Sequence, residues 1–296
     1  MSEITIALPY SLNTDTLRGV VQDFINRCGE TLPAQVILDF HFLGFIEPAG
    51  ITFLSNFVYW LHHKSIKCGF VNYNRPAACI AFLDDSLFFE QHLGKKVYPY
   101  SSPRGTTQHL RRVEHSESHS FIQMKLTPWL ASTLGISKAS LHPFQACLSE
   151  IFINIQDHSS RENGSIFAQH FPNLKRVKIA IADFGVGIPS NVEKVVRGLT
   201  DNQAIAKAVE VDFSTRSTPR NRGIGLDFLL QTVVCMNGGE VTISSFNGMV
   251  RFSPWEGGYQ IIPSQVPGFC PGTTIDIVLR TDTITFVDDE PEDLAW

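Results

Sequence analysis

Hydrophobic residues fall into two periods along this chain. Residues 34–40 (Ala-Gln-Val-Ile-Leu-Asp-Phe) form a β-rich run with the length of a buried strand. Pro48 then opens a stretch to residue 64 in which Ile51, Leu54, Val58 and Leu61 recur at spacings of three and four. That is the stripe of a helix with proline in its first turn. A second short strand is expected over 68–73 and a helix over 77–83. Strand, helix, strand, helix in such close order is an α/β pattern around a small sheet. After a polar interval, helical spacing returns at 128–134 and 139–158. Strands are expected at 165–171 and 176–183, joined by the turn-forming Pro172-Asn173, then helices at 202–210 and 224–237. Four further strand-like runs, at 241–245, 249–252, 259–262 and 273–279, close the pattern. Helices gathered with antiparallel strands predict a two-layer α/β sandwich, so the whole chain reads as α/β in an α+β arrangement.

The interval at 101–120 is polar, with one proline, one glycine and almost no aliphatic content, and it reads as a linker. The expected organisation is a first domain over 1–100, that linker, a second domain over 121–287, and a tail over 288–296 with five acids and no base. A length of 296 residues suits two domains, and a 43% hydrophobic fraction is enough for real cores. Lys and Arg number 24 against 29 Asp and Glu, a net charge of −5 that disfavours sequence-independent nucleic-acid binding. No apolar run is long enough to span a bilayer, so no membrane association is expected. Glu3 and Pro9 interrupt the N-terminus where a signal peptide needs an unbroken apolar core. Six cysteines are scattered without a C-x-x-C pair, as reduced thiols of a cytoplasmic protein would be. That excludes a disulfide scaffold and a cysteine zinc ribbon.

Candidate chemistry concentrates in the second half. In Glu150-Ile-Phe-Ile-Asn154-Ile-Gln-Asp157-His158, offsets of four, seven and eight align Glu150, Asn154, Asp157 and His158 along one helical stripe. Such a stripe is costly to bury unless satisfied, and taken alone it fits the solvated face of an amphipathic helix equally well. Next, an apolar run ends in Asp183-Phe-Gly185-Val-Gly187-Ile188, where a strand delivers a carboxylate and two glycines let the backbone turn against a ligand. The dinucleotide-binding fingerprint needs a third glycine, and position 190 is Ser. Arg222-Gly223-Ile-Gly225-Leu226 opens a helix, a place suited to anions. Finally, Gly272-Thr273 leads into the last strand. Gly94-Lys95-Lys96 lacks the upstream glycine and the hydroxyl of a P-loop, and His115 and His119 read as solvated.

In this order and spacing the four motifs resemble the GHKL ATPase superfamily, which includes gyrase, MutL, sensor histidine kinases and anti-sigma-factor kinases. The resemblance spans roughly 121–286. Glu150 to His158 matches its N box, Asp183 to Ile188 its first glycine box, Arg222 to Leu226 most of its second, and Gly272-Thr273 its terminal pair; Asn221 stands where many members have glycine. The resemblance implies that Asn154 ligates Mg²⁺ and that Glu150 polarises the attacking water or acceptor hydroxyl. It implies further that Asp183 reads the adenine amine with support from Thr273, while Gly223 and Gly225 bring amides to the phosphates. Asp157, His158, Gly185, Gly187, Ile188, Arg222 and Leu226 would complete the ATP site. The first hundred residues resemble a STAS domain through Val36 to Asp39 and Phe45 to Ile51, with Ala49 where that family carries a phosphorylatable hydroxyl. The pairing implies a cytoplasmic ATP-binding regulator, either a signalling kinase or switch of the anti-sigma type, with a protein partner through the STAS-like part. The alternatives are a slow ATPase acting as a clamp and an ATP-binding interaction module without turnover. A homo-oligomer stays open. The linker is expected to let the first domain dock on the lid between Pro189 and Asn221.

Overall fold

A computed structural model describes residues 3–29, 31–158, 163–211, 213 and 224–284; at residues 115, 154–158, 163, 224 and 225 the description covers the backbone alone. The chain is an α+β protein with both parallel and antiparallel sheets. It opens with β1 (Glu3–Ala7), β2 (Ser11–Leu12), α1 (Leu17–Cys28), β3 (Gln35–Asp39), β4 (Phe45–Ile46), α2 (Pro48–His63) and β5 (Lys67–Val71). β1, β3 and β5 form a parallel three-stranded sheet in that order, and β2 pairs in parallel with β4. α3 (Ala78–Asp85) and α4 (Phe88–Leu93) follow. The expected strand–helix–strand–helix series is thus β3, α2, β5 and α3. Glu47, in extended conformation, caps α2, and Pro48 starts it.

The expected linker at 101–120 is largely built into the fold. It carries β6 (Thr107–Glu114) and most of α5 (His115–Phe121). Leu110 and Val113 are buried. The Arg111 guanidinium lies 5.3 Å over the Phe121 ring and that of Arg112 lies 4.6 Å over Tyr59. A polar run therefore hides a strand whose arginine stems serve as packing surface.

A π-helical segment, Ile122–Leu126, leads to α6 (Thr127–Leu134) and α7 (His142–His158), then β7 (Asn163–Phe171) and β8 (Arg176–Asp183). α8 (Gly187–Glu193), α9 (Asp201–Ala208) and α10 (Ile224–Leu230) come next, α10 continuing as a π-helix over Gln231–Met236. β9 (Glu240–Phe246), β10 (Gly248–Trp255), β11 (Gly258–Pro263) and β12 (Cys270–Arg280) complete the described chain. β6 to β12 make one seven-stranded sheet, order β11-β10-β9-β12-β8-β7-β6, with every neighbour antiparallel. Arg222 and Gly223 and the acidic tail at 288–296 lie outside the described residues. Among those described, no helix is long and apolar enough to cross a membrane.

The faces of this sheet are covered differently. Ile179, Ile181, Ile243 and Ile277 enter a core with Leu148, Ile151 and Phe152 of α7 and Leu230 of α10. On the opposite face, Phe167, Ala180 and Cys270 join the core of the first hundred residues. There α2 lies across β7, β8 and β12. Every residue from Pro48 to Val58 is buried, because one side of α2 meets the small parallel sheet and the other the large one. The amphipathic stripe at 48–64 thus marks a helix enclosed all round over its first three turns, with His62 and His63 exposed at its end. The N-terminal part sits on this outer sheet face; the end of the lid on which the sequence placed it, residues 214–221, lies outside the described residues.

Polar contacts fix that seat. Lys178 Nζ donates to Glu47 at 2.9 Å, Arg18 donates to the carbonyls of Asn247 and Val266, and the Thr14 hydroxyl donates to Asp276 Oδ2 at 2.6 Å. Asp276 Oδ1 has no hydrogen-bond partner among the described residues. Burial pushes the Asp276 carboxyl upward, with the Thr14 bond and nearby Lys178 pulling it down. A carboxyl raised by burial stabilises the fold most below its ordinary range, and that contribution is lost as pH rises through its folded value. Thr14→Val removes a donor to the charged form. It is expected to cost about 1–3 kcal/mol where the carboxyl is charged and less below its raised folded value, read from urea midpoints across the pH range.

Candidate functional site

β8 delivers its carboxylate to one spot. Alternation along the strand puts Ile179, Ile181 and Asp183 on the face covered by α7 and α10, and turns Ala180 and Phe184 toward α2. Asp183 is 7% exposed. Its Oδ1 accepts the Gly185 N–H at 2.6 Å, and the backbone N–H of Thr273, its register partner on β12, also bonds to it. Burial pushes the carboxyl up to about 7 against the pull of these two donors. An acid at that value changes charge near neutral pH.

Two glycines make the surrounding backbone possible. Gly187, with φ +76°, starts α8 under β9, and a Cβ on it would lie 2.9 Å from Ser245 Oγ and from the Phe246 ring. Gly272, with φ +74°, sits in a bulge where the β12 register against β9 shifts between Cys270 and Thr273. A Cβ there would lie 2.3 Å from the Asp183 carbonyl oxygen and 2.7 Å from the Gly185 nitrogen. The first glycine motif and the Gly-Thr pair, ninety residues apart in sequence, are therefore one piece of backbone in space.

Ser245 joins them, and sequence reasoning missed it. Its hydroxyl donates to the Gly272 carbonyl at 2.5 Å, accepts the Ile188 N–H at 3.0 Å, and lies 3.4 Å from Thr273 Oγ1. The only signal for it is register: Ser245 stands opposite Thr273 across β9 and β12.

The helix of Glu150 to His158 is α7, with Leu148, Ile151 and Phe152 buried and Glu150 half-buried on its flank. It packs on α10, where the Cys147 thiol reaches the Phe228 carbonyl at 3.7 Å, and it touches α8. Burial pushes the Cys147 thiol up to about 11, so it stays protonated and unreactive at neutral pH. Asn154, Asp157 and His158 continue the helix, and their side chains lie outside the described residues. Gly225 and Leu226 fall in the first turns of α10, with Leu226 packed on the core. The fold thus brings together Asp183, Gly185, Gly187, Ile188 and Thr273, and sets the helices of Glu150 and Leu226 side by side on the same sheet face. A separate groove of about 630 Å³, lined by Cys235, Trp255 and Tyr259 among others, contains none of these residues.

No protein-family model matches this chain, and the curated proteins give no match. Among solved structures it is similar to the B-subunit of the DNA gyrase from Myxococcus xanthus, with a TM-score of 0.30 and 10% identity over 58% of this chain and 46% of that one. The chain spans under half of that protein's length.

Proposed function

We propose that this chain is a Mg²⁺-dependent ATP-binding regulatory protein whose nucleotide lies over the ends of β8 and β12, bordered by α7, α8 and α10. The observation that carries this reading is the buried Asp183 carboxylate, oriented by the Gly185 and Thr273 N–H groups beside backbone too close for any side chain at Gly272. A carboxylate fixed in this way offers a lone pair to the exocyclic amine of adenine. Guanine presents a carbonyl at the equivalent position, and two acceptors repel. Gly185, Gly187, Ile188 and Thr273 then border the base, and Arg222, Gly223, Gly225 and Leu226 serve the phosphate end.

The metal end of the reading rests on the sequence resemblance. Asn154 would supply the protein oxygen to a Mg²⁺ ion that takes its other ligands from phosphates and water, with Asp157 and His158 one turn further along α7. Glu150 would act as the general base toward water or an acceptor hydroxyl. In the same reading residues 1–100 are a STAS-like contact unit. Ala49 at its would-be switch position leaves it to act by packing, and residues 121–287 form the nucleotide-binding unit, to which β6 adds an edge strand. Turnover or transfer of phosphate is what makes this a signalling kinase or switch.

The test is calorimetry of ATP binding to Asp183→Asn. Losing the partner of a buried amine costs about 1–3 kcal/mol, so affinity is expected to fall about tenfold or more at pH ~8. The unaltered chain should also bind ATP more tightly as pH rises toward about 7, releasing up to one proton on binding below that value, because the amine selects the charged carboxylate. Affinity that is the same in Asp183→Asn and flat with pH removes Asp183 from the site.

A further inference from the structure

The residues on either side of Asp183 are both held by the N-terminal part of the chain. Asn56, on α2 and 8% exposed, donates through Nδ2 to the carbonyl of Ala182, the oxygen on the peptide group that carries the Asp183 nitrogen. Its Oδ1 accepts the hydroxyl of Ser165, the β7 residue in register with Ala182, so both ends of the amide are used. On the other side, Phe184 leaves the strand toward α2. Its ring centre lies 5.8 Å from that of Phe53, 6.4 Å from Phe57 and 6.3 Å from Trp60. Asp183 points to the opposite face, between these two anchors.

The arrangement has a mechanical consequence. The base-reading carboxylate comes from the last residue of β8, and a strand end is held by fewer ladder bonds than its middle. A hydrogen bond on the preceding carbonyl and an aromatic seat for the following side chain fix the direction of the Asp183 Cα–Cβ bond. Neither anchor touches the space where a nucleotide would lie, and both belong to a helix packed on the other side of the sheet.

We infer that Asn56 is a positioning residue for Asp183, and that α2 couples the N-terminal part of the chain to the choice of base at the nucleotide site. This rests on the ATP reading given above. The coupling is reciprocal: whatever moves α2 on the sheet alters discrimination for adenine, and a bound adenine tightens the seat of α2 by the same factor. The N-terminal part is then a regulator that works from within the chain through two residues flanking the specificity group.

The experiment uses the full chain and compares Asn56→Leu, Ser165→Ala and Phe184→Leu by calorimetry with ATP, with GTP and with inorganic triphosphate, each with Mg²⁺. Asn56→Leu keeps the bulk and removes the donor to Ala182. It is expected to lower ATP affinity about three- to tenfold, to lower the ATP-to-GTP affinity ratio with it, and to leave triphosphate affinity unchanged, since only the amide bond aiming the base contact is lost. Proton release on ATP binding should change with the ratio. Ser165→Ala keeps the Ala182 bond and is expected to retain the ratio, even where thermal stability drops. Phe184→Leu loosens the other anchor and gives the same readout if Asn56→Leu does not fold. An unchanged ratio in Asn56→Leu and Phe184→Leu overturns the inference. So does an equal fall of ATP, GTP and triphosphate affinity, or a ratio in Ser165→Ala that falls as far as in Asn56→Leu. Asp183→Asn, run in parallel, separates the levels: if it leaves ATP affinity intact, the ATP reading itself fails.

Discussion

Gly272→Ala is expected to weaken nucleotide binding further than Asp183→Asn or Asn56→Leu does. Two independent terms act at the position. With φ at +74° an alanine is strained, and its Cβ would sit 2.3 Å from the Asp183 carbonyl oxygen and 2.6 Å from the Phe184 Cα. Those neighbours are main chain, so no side chain can swing away. Strain and overpacking each contribute about 1–3 kcal/mol, and relief requires β12 to lift from β8 where Thr273 and Asp183 face each other. ATP affinity should fall on the order of a hundredfold or more, with a drop in thermal midpoint that a control such as Gly105→Ala, in open space, does not share. A folded Gly272→Ala protein that binds ATP as the parent does would show that this crossing is not the base site.

Glu150→Gln addresses chemistry instead of binding. Glu150 is half-buried on α7, while its neighbours Ile151 and Phe152 fill the core. Glutamine keeps the shape and hydrogen-bonding reach but cannot take a proton. Single-turnover assays with labelled Mg-ATP are expected to show phosphate release or transfer slowed about 10²–10⁴-fold, with ATP affinity nearly intact. Equal loss of binding and turnover would make Glu150 a structural residue of α7. Labelled ATP incubated with the parent chain also sorts the alternatives: free phosphate marks an ATPase, label on another protein a kinase, and neither a binding module.

Much of the frame was legible because most elements obey one period. The alternating apolar positions of β8 and the three–four spacing of α2 and α7 were read with their ends nearly right. β6 was not, because Arg111 and Arg112 contribute rings' worth of packing surface with the composition of a loop. That α2 is enclosed by two sheets was not legible either; the stripe at 48–64 gives one apolar face, and the second face includes Asn56, a polar residue whose burial follows only from Ser165 and Ala182 beside it. The candidate site divides in the same way. Asp183 and its glycines announce themselves by type and order. Ser245 and Asn56 are ordinary polar residues whose meaning lies in register and in contacts formed across the chain.

The enclosure of α2 also sets a timetable for making the protein. Its hydrogen bonds to the large sheet join residues 109, 126 and 131 positions apart in sequence. Such distant closures form late, so a chain emerging from the ribosome carries α2 for a hundred residues or more before β7 and β8 exist to cover it. During that interval Phe53 and Phe57, with only Phe24 of α1 against Phe57, lack the sheet that covers them, and Phe184, which completes their cluster, arrives only at the end of β8. Synthesis therefore passes through a nascent chain with an aromatic helix face waiting for its lid, the stage at which a holding chaperone would find the most to bind.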